Sequence, residues 1–173
     1  MLDCTFKPFP LLSTKRFDLR QITLADDNEI FALRSNEKVI QYLDRPPVET
    51  IEEVHEFINK IINGIERDEW IHWVITEKSD DKLIGTICLW NLDREKEVAE
   101  IGFELLPDYM GKGIMQKVVP IIIDYGFKKM KLKSIEGEVD PGNVKSIKLM
   151  ERFGFTHNRD LEKTIVYSLS NDK

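Results

Sequence analysis

Two glutamates and a pair of glycines carry the chemistry that this sequence offers. In "VAEIGFELL" (98–106), Glu100, Gly102 and Glu104 alternate with Ile101, Phe103 and Leu105. Successive side chains of a strand point to opposite faces, so both carboxylates fall on one side. Central strands of an α/β sheet are normally apolar on both faces. Two carboxylates there imply a face open to solvent, pairing with Arg or Lys, or a carboxylate set to move protons. Shortly after, "YMGKG" opens an apolar helical run. Gly111 and Gly113 let the backbone approach a ligand closely. The free N–H groups and the dipole of a helix start favour an anion, and Lys112 adds charge at the rim. A plain strand-to-helix turn would use the same glycines.

The spacing removes two phosphate loops. A nucleoside-triphosphate loop needs four residues between its glycines and then Lys-Ser/Thr. Here only Lys112 lies between them, and Ile114 and Met115 follow, with no hydroxyl for magnesium. A dinucleotide loop needs a third glycine where Gln116 stands.

The elements that must hold these residues are legible as periodic runs. "RFDLRQIT" (16–23) reads as a strand, and Thr23 or Asp26 can cap the helix "DDNEIFALRSN". A short helix fits "EKVIQYL", and the two prolines of "DRPPVE" end it. Thr50 with Glu53 forms a capping box for a long helix whose Ile51, Val54, Phe57, Ile58, Ile61, Ile62 and Ile65 share one face. "HWVITEK" (72–78), "KLIGTICLWNL" (82–92) and "VAEIGFELL" (98–106) read as three strands. A helix follows from about Lys112 to Met130, with Pro120 expected to kink it or mark an irregular turn. Then come the strand "SIEGEVD" (134–140), the helix 143–153 closed by Gly154, and the strand "TIVYSLS" (164–170). The order β-α-α-α-β-β-β-α-β-α-β predicts one α/β domain over residues 1–173, a mixed sheet with helices on its faces.

Composition narrows the function. A net charge of −6 disfavours binding to nucleic-acid phosphates. Cys4 and Cys88 lie far apart, with Cys88 in an apolar run that reads as core, and His55, His72 and His157 share no metal-ligand spacing. No signal peptide and no apolar run of membrane-span length is visible, which predicts a cytoplasmic protein.

"EIGFELLPDYMGKGIMQKVVPIIIDYGF" followed by "VDPGNVKSIKLMERFGF" resembles the acetyl-CoA signature of the GNAT N-acetyltransferase superfamily. The upstream "RFDLRQITLADDNEIFALRSNEKVIQYL" resembles the N-terminal half of its RimJ/RimL-type branch, the ribosomal-protein N-terminal acetyltransferases. The resemblance implies a GNAT-like sheet, mostly antiparallel, whose splayed strands form an acetyl-CoA cleft. Asp108 stands where the family's loop begins with Gln or Arg, which leaves Gly111 and Gly113 as anchors. By resemblance, backbone from Met110 through Gly111, Lys112, Gly113 and Ile114 to Met115 holds the coenzyme A pyrophosphate. Phe103, Glu104 and Leu105 are implied to pair with the pantetheine, Asn143 to reach its arm, and Ser146 to lie near the sulfur. Asn143 is also a natural helix N-cap.

The implied reaction is acetyl transfer from acetyl-CoA to an amine, without a metal. A protonated amine has no lone pair, so a base must take its proton. Glu100 is the expected base and Glu104 the second candidate. A backbone N–H near Phe103–Leu105 would stabilise the oxyanion. The tyrosine that many relatives use as acid is replaced by Met150, which leaves Ser146 as the nearest hydroxyl. Trp90 and Asn91 end a strand beside Glu100 and so can line the acceptor pocket, although packing is the commoner role for an aromatic residue such as Trp90. "YLDRPPVE" (42–49) is a wall of that pocket by family analogy or a plain surface connection. The expected acceptor is a protein or peptide N-terminal amine. Alternatives are a small amine (a polyamine, antibiotic or amino acid) or a catalytically silent acyl-CoA-binding module. The resemblance leaves room for a homodimer.

Overall fold

The fold is a computed structural model that describes residues 1–172. Its strands are β1 (Leu12–Ser13), β2 (Phe17–Arg20), β3 (Ile71–Glu77), β4 (Gly85–Asp93), β5 (Val98–Leu105), β6 (Ser134–Val139), β7 (Thr156–Asp160) and β8 (Ile165–Ser170). They form one sheet in the order β1-β2-β3-β4-β5-β6-β8-β7. Every neighbouring pair is antiparallel except β5–β6. The predicted mixed, mostly antiparallel sheet flanked by helices is therefore observed. Two strands go beyond the sequence reading. β1 is only two residues long. β7, "THNRD", is exposed along its whole length and has no apolar alternation to betray it. It forms because the turn at Leu161–Thr164 folds it back onto β8.

The helices are α1 (Asp27–Ser35), α2 (Glu37–Ile40), α3 (Ile51–Glu66), α4 (Ile114–Asp124) and α5 (Val144–Arg152). α1 begins after a short 3-10 turn, where the Asp26 carboxylate accepts from the Thr23 N–H at 2.9 Å and from both terminal nitrogens of Arg20. α3 has the expected capping box of Thr50 and Glu53, and Val54, Ile58, Ile61 and Ile65 of its apolar face are buried. Burial of that stripe against the sheet, at roughly 25 cal/mol per Å² of apolar surface, is what fastens α3. Gly64 is needed for the fit: a Cβ there would lie 2.0 Å from the Trp70 indole, whose Nε1 donates to the Ile61 carbonyl.

The other sheet face is covered by α4 and the turn after it. Trp73 is fully buried, its ring edge-on to Tyr125 with centroids 5.1 Å apart, and its Nε1 donates to the Pro10 carbonyl at 2.8 Å. α4 starts at Ile114, two residues later than the sequence suggests, because Gly113 takes a left-handed φ of +74° and ends the loop. The irregular turn expected at Pro120 is elsewhere. The α-helix runs through Pro120, whose missing N–H leaves the Gln116 carbonyl without its helical partner. A π turn follows at Tyr125–Lys129, where Gly126 packs so closely on Ile135 and Leu132 that an added Cβ would sit 3.0 and 3.1 Å from them.

The feature that positions the site is where β5 and β6 part. Their parallel pairing covers only Val98–Ser134, Ala99–Ile135 and Glu100–Glu136. Beyond Glu100, β5 stays bonded to β4 as far as Leu105 but has lost its other neighbour. Five residues of strand edge thus face a cleft, as the splayed-strand expectation required.

Candidate active site

Two cavities meet along the free edge of β5. One, of about 460 Å³, is lined by Glu100, Gly102, Trp90, Arg34, Arg45 and Phe57 among others. The second, of about 510 Å³, is lined by Leu105, Met110, Gly111, Gly113, Ile114 and Met115, together with residues of α5. Tyr42, Leu43, Phe103, Glu104, Asn143 and Ser146 line both and so mark the junction. We refer to the first as the chamber and to the second as the cleft.

Backbone builds the cleft. Gly111 and Gly113 both have φ of +74°, a conformation that costs an L-residue roughly 1–2 kcal/mol. A Cβ at Gly111 would meet nothing within 4 Å, so its glycine serves backbone conformation and not space. The first turn of α4 has no side-chain cap, which leaves its N–H groups available to an anion. Together with the unpaired edge of β5, these groups suit a ligand with a pyrophosphate at one end and an amide-bearing arm along the strand. A line of cations on α5, Lys145, Lys148 and Arg152, borders the same cleft. They recur at helical spacing and put positive charge on one edge of an acidic protein. Lys112 does not line the cleft. Its ammonium lies 5.6 Å from the centre of the Tyr109 ring.

Side chains from distant segments build the chamber. Glu100 is half-buried, and its Oε2 accepts from Asn91 Nδ2 at 3.3 Å. Asn91 sits at a break in the β4–β5 register with φ of +48°, which turns its side chain toward β5. Burial pushes the Glu100 carboxyl above the ordinary glutamate value. The Asn91 hydrogen bond opposes this, and the carboxylates of Glu138 and Glu136 reinforce it. Arg159, on the unforeseen strand β7, clamps Glu136 with two bonds of 2.9 and 3.0 Å and so moderates that repulsion. Glu104 is differently placed: Arg45 Nη2 donates to its Oε1 at 2.6 Å. The two carboxylates on one face thus have different surroundings, one ion-paired and one desolvated.

At the junction, Asn143 caps α5 by accepting from the Ser146 N–H at 3.3 Å, and it lines both cavities as well. Met150 is buried, and its sulfur would lie 2.5 Å from a Cβ on Gly137, so that position offers no proton. Ser146, one turn earlier, has the hydroxyl at the junction. Loop 42–49 delivers Tyr42, Leu43 and Arg45 to the chamber. Of the two readings of Trp90, packing and pocket wall, the second is observed: it is 41% exposed and lines the chamber. Cys88, read as core, is half-buried there, with its thiol pushed up by burial. His72 is held at about 3 by desolvation and is neutral. Sequence reasoning did not single out Arg34, Lys60, Glu138, Asp140 or the α5 cations, and it read Phe57 only as part of the apolar face of α3. Of these, only the α5 cations had a signal, their spacing along one helix.

Comparison with known proteins agrees with this geometry. Residues 16–156 match the acetyltransferase (GNAT) domain family. The uncharacterized N-acetyltransferase YoaA of Bacillus subtilis (strain 168) is 34% identical over 147 residues, covering 85% of this chain and 83% of that protein. The ribosomal-protein-S5-alanine acetyltransferase of Vibrio fischeri superposes with a TM-score of 0.79 at 24% identity, covering 94% of this chain and 97% of the other. The spermidine N-acetyltransferase of Vibrio cholerae, solved with CoA and spermine, superposes with a TM-score of 0.81 at 23% identity, covering 91% and 96%. A free strand edge, a glycine loop at a helix start and a family match over most of the chain lead to one conclusion: the chain belongs to the GNAT family of acetyltransferases.

Proposed function

We propose that the chain transfers the acetyl group of acetyl-CoA to a primary amine, the N-terminal α-amine of a protein or peptide, with Glu100 as general base. The observation that carries this is the junction: a pyrophosphate-compatible cleft and a carboxylate-bearing chamber share Phe103, Glu104, Asn143 and Ser146. Acetyl-CoA, when bound, supplies an activated acyl group on a thiolate leaving group. Gly111, Gly113 and the first turn of α4 would hold its pyrophosphate through backbone N–H groups, with Met110, Ile114 and Met115 lining that end. The free edge of Phe103–Leu105 would pair with the pantetheine amides.

The amine enters from the chamber. Glu100 accepts its proton, directly or through a water molecule, and so exposes the lone pair that attacks. A carboxylate raised by burial is a better acceptor than an exposed one, and a positioned base is typically worth about 10²–10⁴ in rate. Glu104, held by Arg45, acts by keeping loop 42–49 against the sheet. Ser146 donates a hydrogen bond to the departing sulfur, and thiolate leaves without stronger acid help.

Likeness of the N-terminal half to the RimJ/RimL branch supports a protein N-terminus over a small amine. The test is thiol release from acetyl-CoA with a panel of peptides and small amines. Turnover with short peptides at higher kcat/KM than with spermidine is expected. Tight CoA binding with no release for any amine would overturn the reading in favour of a silent acyl-CoA-binding module.

A further inference from the structure

The chamber holds a cation that has no ion-pair partner among the described residues. Arg34 lies on α1 with its guanidinium carbon 3.8 Å from the centre of the Phe57 ring, on α3. Its Nε is buried without a hydrogen-bond partner. Glu104, the carboxylate whose charge favours the Arg34 cation, is already bonded to Arg45. Burial, and then the charge of Arg45, pulls the Arg34 value down to about 10, so the group stays charged but poorly compensated. A half-buried charge without a partner carries an uncompensated desolvation cost, and a stacked guanidinium fixed in place is a good receptor for a planar anion.

The coenzyme is not that anion. Neither Arg34, Arg45 nor Lys60 lines the cleft where the phosphates would sit; all three line the chamber. With Glu104 subtracted, this wall has an excess of two positive charges. The opposite wall has Glu100, Glu138 and Asp140, and there the amine is delivered. The chamber is therefore polarised, negative on the β5–β6 side and positive on the α1–α3 side. A polyamine lying across it would set its far ammonium against Arg34 and Lys60.

We infer that the acceptor is an amine with its own carboxylate a few bonds away, which Arg34, stacked on Phe57 and assisted by Lys60, binds while the amine meets Glu100. This rests on the acetyltransferase reading above and narrows its substrate. The carboxylate has two sources with the same chemistry: an acidic side chain next to a peptide N-terminus, or the C-terminal carboxylate of a dipeptide or amino acid.

Matched pairs of acceptors separate the cases. Ala-Glu-Gly-amide is compared with Ala-Gln-Gly-amide, and Ala-Gly with Ala-Gly-amide, with spermidine beside them. One pair is expected to show a KM about tenfold lower for the acid, as a charge-assisted contact to a fixed guanidinium would give. Preference within the first pair identifies a side-chain carboxylate, and within the second a C-terminal one. In Arg34→Gln the acid-to-amide ratio should fall to within about twofold of unity, and Lys60→Ala, at an exposed position, should lower it less. Calorimetry with the corresponding Nα-acetylated peptides reads the same preference without turnover, so failure of the catalytic reading remains distinguishable from failure of this one. Equal KM and Kd within both pairs, or spermidine preferred to all four, would overturn the inference.

Discussion

The cleft and the chamber share a strand but are built from different materials. The cleft is mostly backbone: a free strand edge, two left-handed glycines and a helix start within one stretch, 101–115. The chamber is mostly side chain, brought from α1, α3, loop 42–49, β4, β5 and β6. A backbone site tolerates exchange of most of its side chains and fails when its dihedrals change. A side-chain site keeps its fold when residues change and loses instead its selectivity or its chemistry. The cleft therefore suits the part of the reaction that is constant, and the chamber the part that varies between relatives acting on S5 alanine and on spermidine.

Five substitutions test this contrast, beginning with the strongest. Glu100→Gln should lower kcat by about 10²-fold at pH 7 with little change in KM for acetyl-CoA, read by thiol release. Loss of acetyl-CoA affinity instead would erase the division between the two cavities. The same variant should melt higher than the parent at pH 7. The folded protein raises the pKa of Glu100 above its unfolded value, so stability drops as pH climbs from the unfolded value through the folded one. The gain should shrink toward zero below about pH 4, where both forms are protonated.

Gly113→Ala should raise the acetyl-CoA KM by about fivefold to tenfold, because a left-handed φ costs roughly 1–2 kcal/mol without any clash. Acceptor KM should stay put. Gly64→Ala is its chamber counterpart. It forces the Trp70 ring away from α3 and should cost about 1–3 kcal/mol in denaturant unfolding, with acceptor KM altered and CoA affinity retained. The weakest effect is expected at Lys148→Ala and Arg152→Ala. Both residues are exposed, so each should weaken CoA binding only about twofold to threefold, and less at high salt.

The same contrast explains what the sequence disclosed. The cleft was legible because its parts are contiguous: alternation in "EIGFELL", the Gly-Lys-Gly turn and the Asn143–Ser146 segment lie within about fifty residues. Lys112 was the exception, since a side chain's direction at a loop rim is not written in spacing. The long elements were legible too, because α3, β3 and β4 bury enough apolar surface to show period. β7 was not, as a fully exposed polar edge strand has no period to show. In the chamber, Arg34 is one charged residue in an ordinary amphipathic helix, and only its arrival beside Phe57 makes it notable. Trp90 was left between packing and pocket wall for a related reason: aromatic residues in strands are usually packed, and a cavity wall is known only once the sheet is assembled.

The central claim is that the desolvated carboxylate of Glu100 takes the amine's proton. The most direct measurement is the pH dependence of kcat/KM for one good acceptor, for the parent protein and Glu100→Gln, together with Arg159→Gln. The parent should lose activity as pH falls through a group lying above the ordinary glutamate value. In Arg159→Gln that limb should move to higher pH, because Glu136 is left uncompensated beside Glu100. In Glu100→Gln the limb should vanish, leaving a rate that rises with pH only as the free amine population grows. A profile unchanged in shape by Glu100→Gln would contradict the assignment.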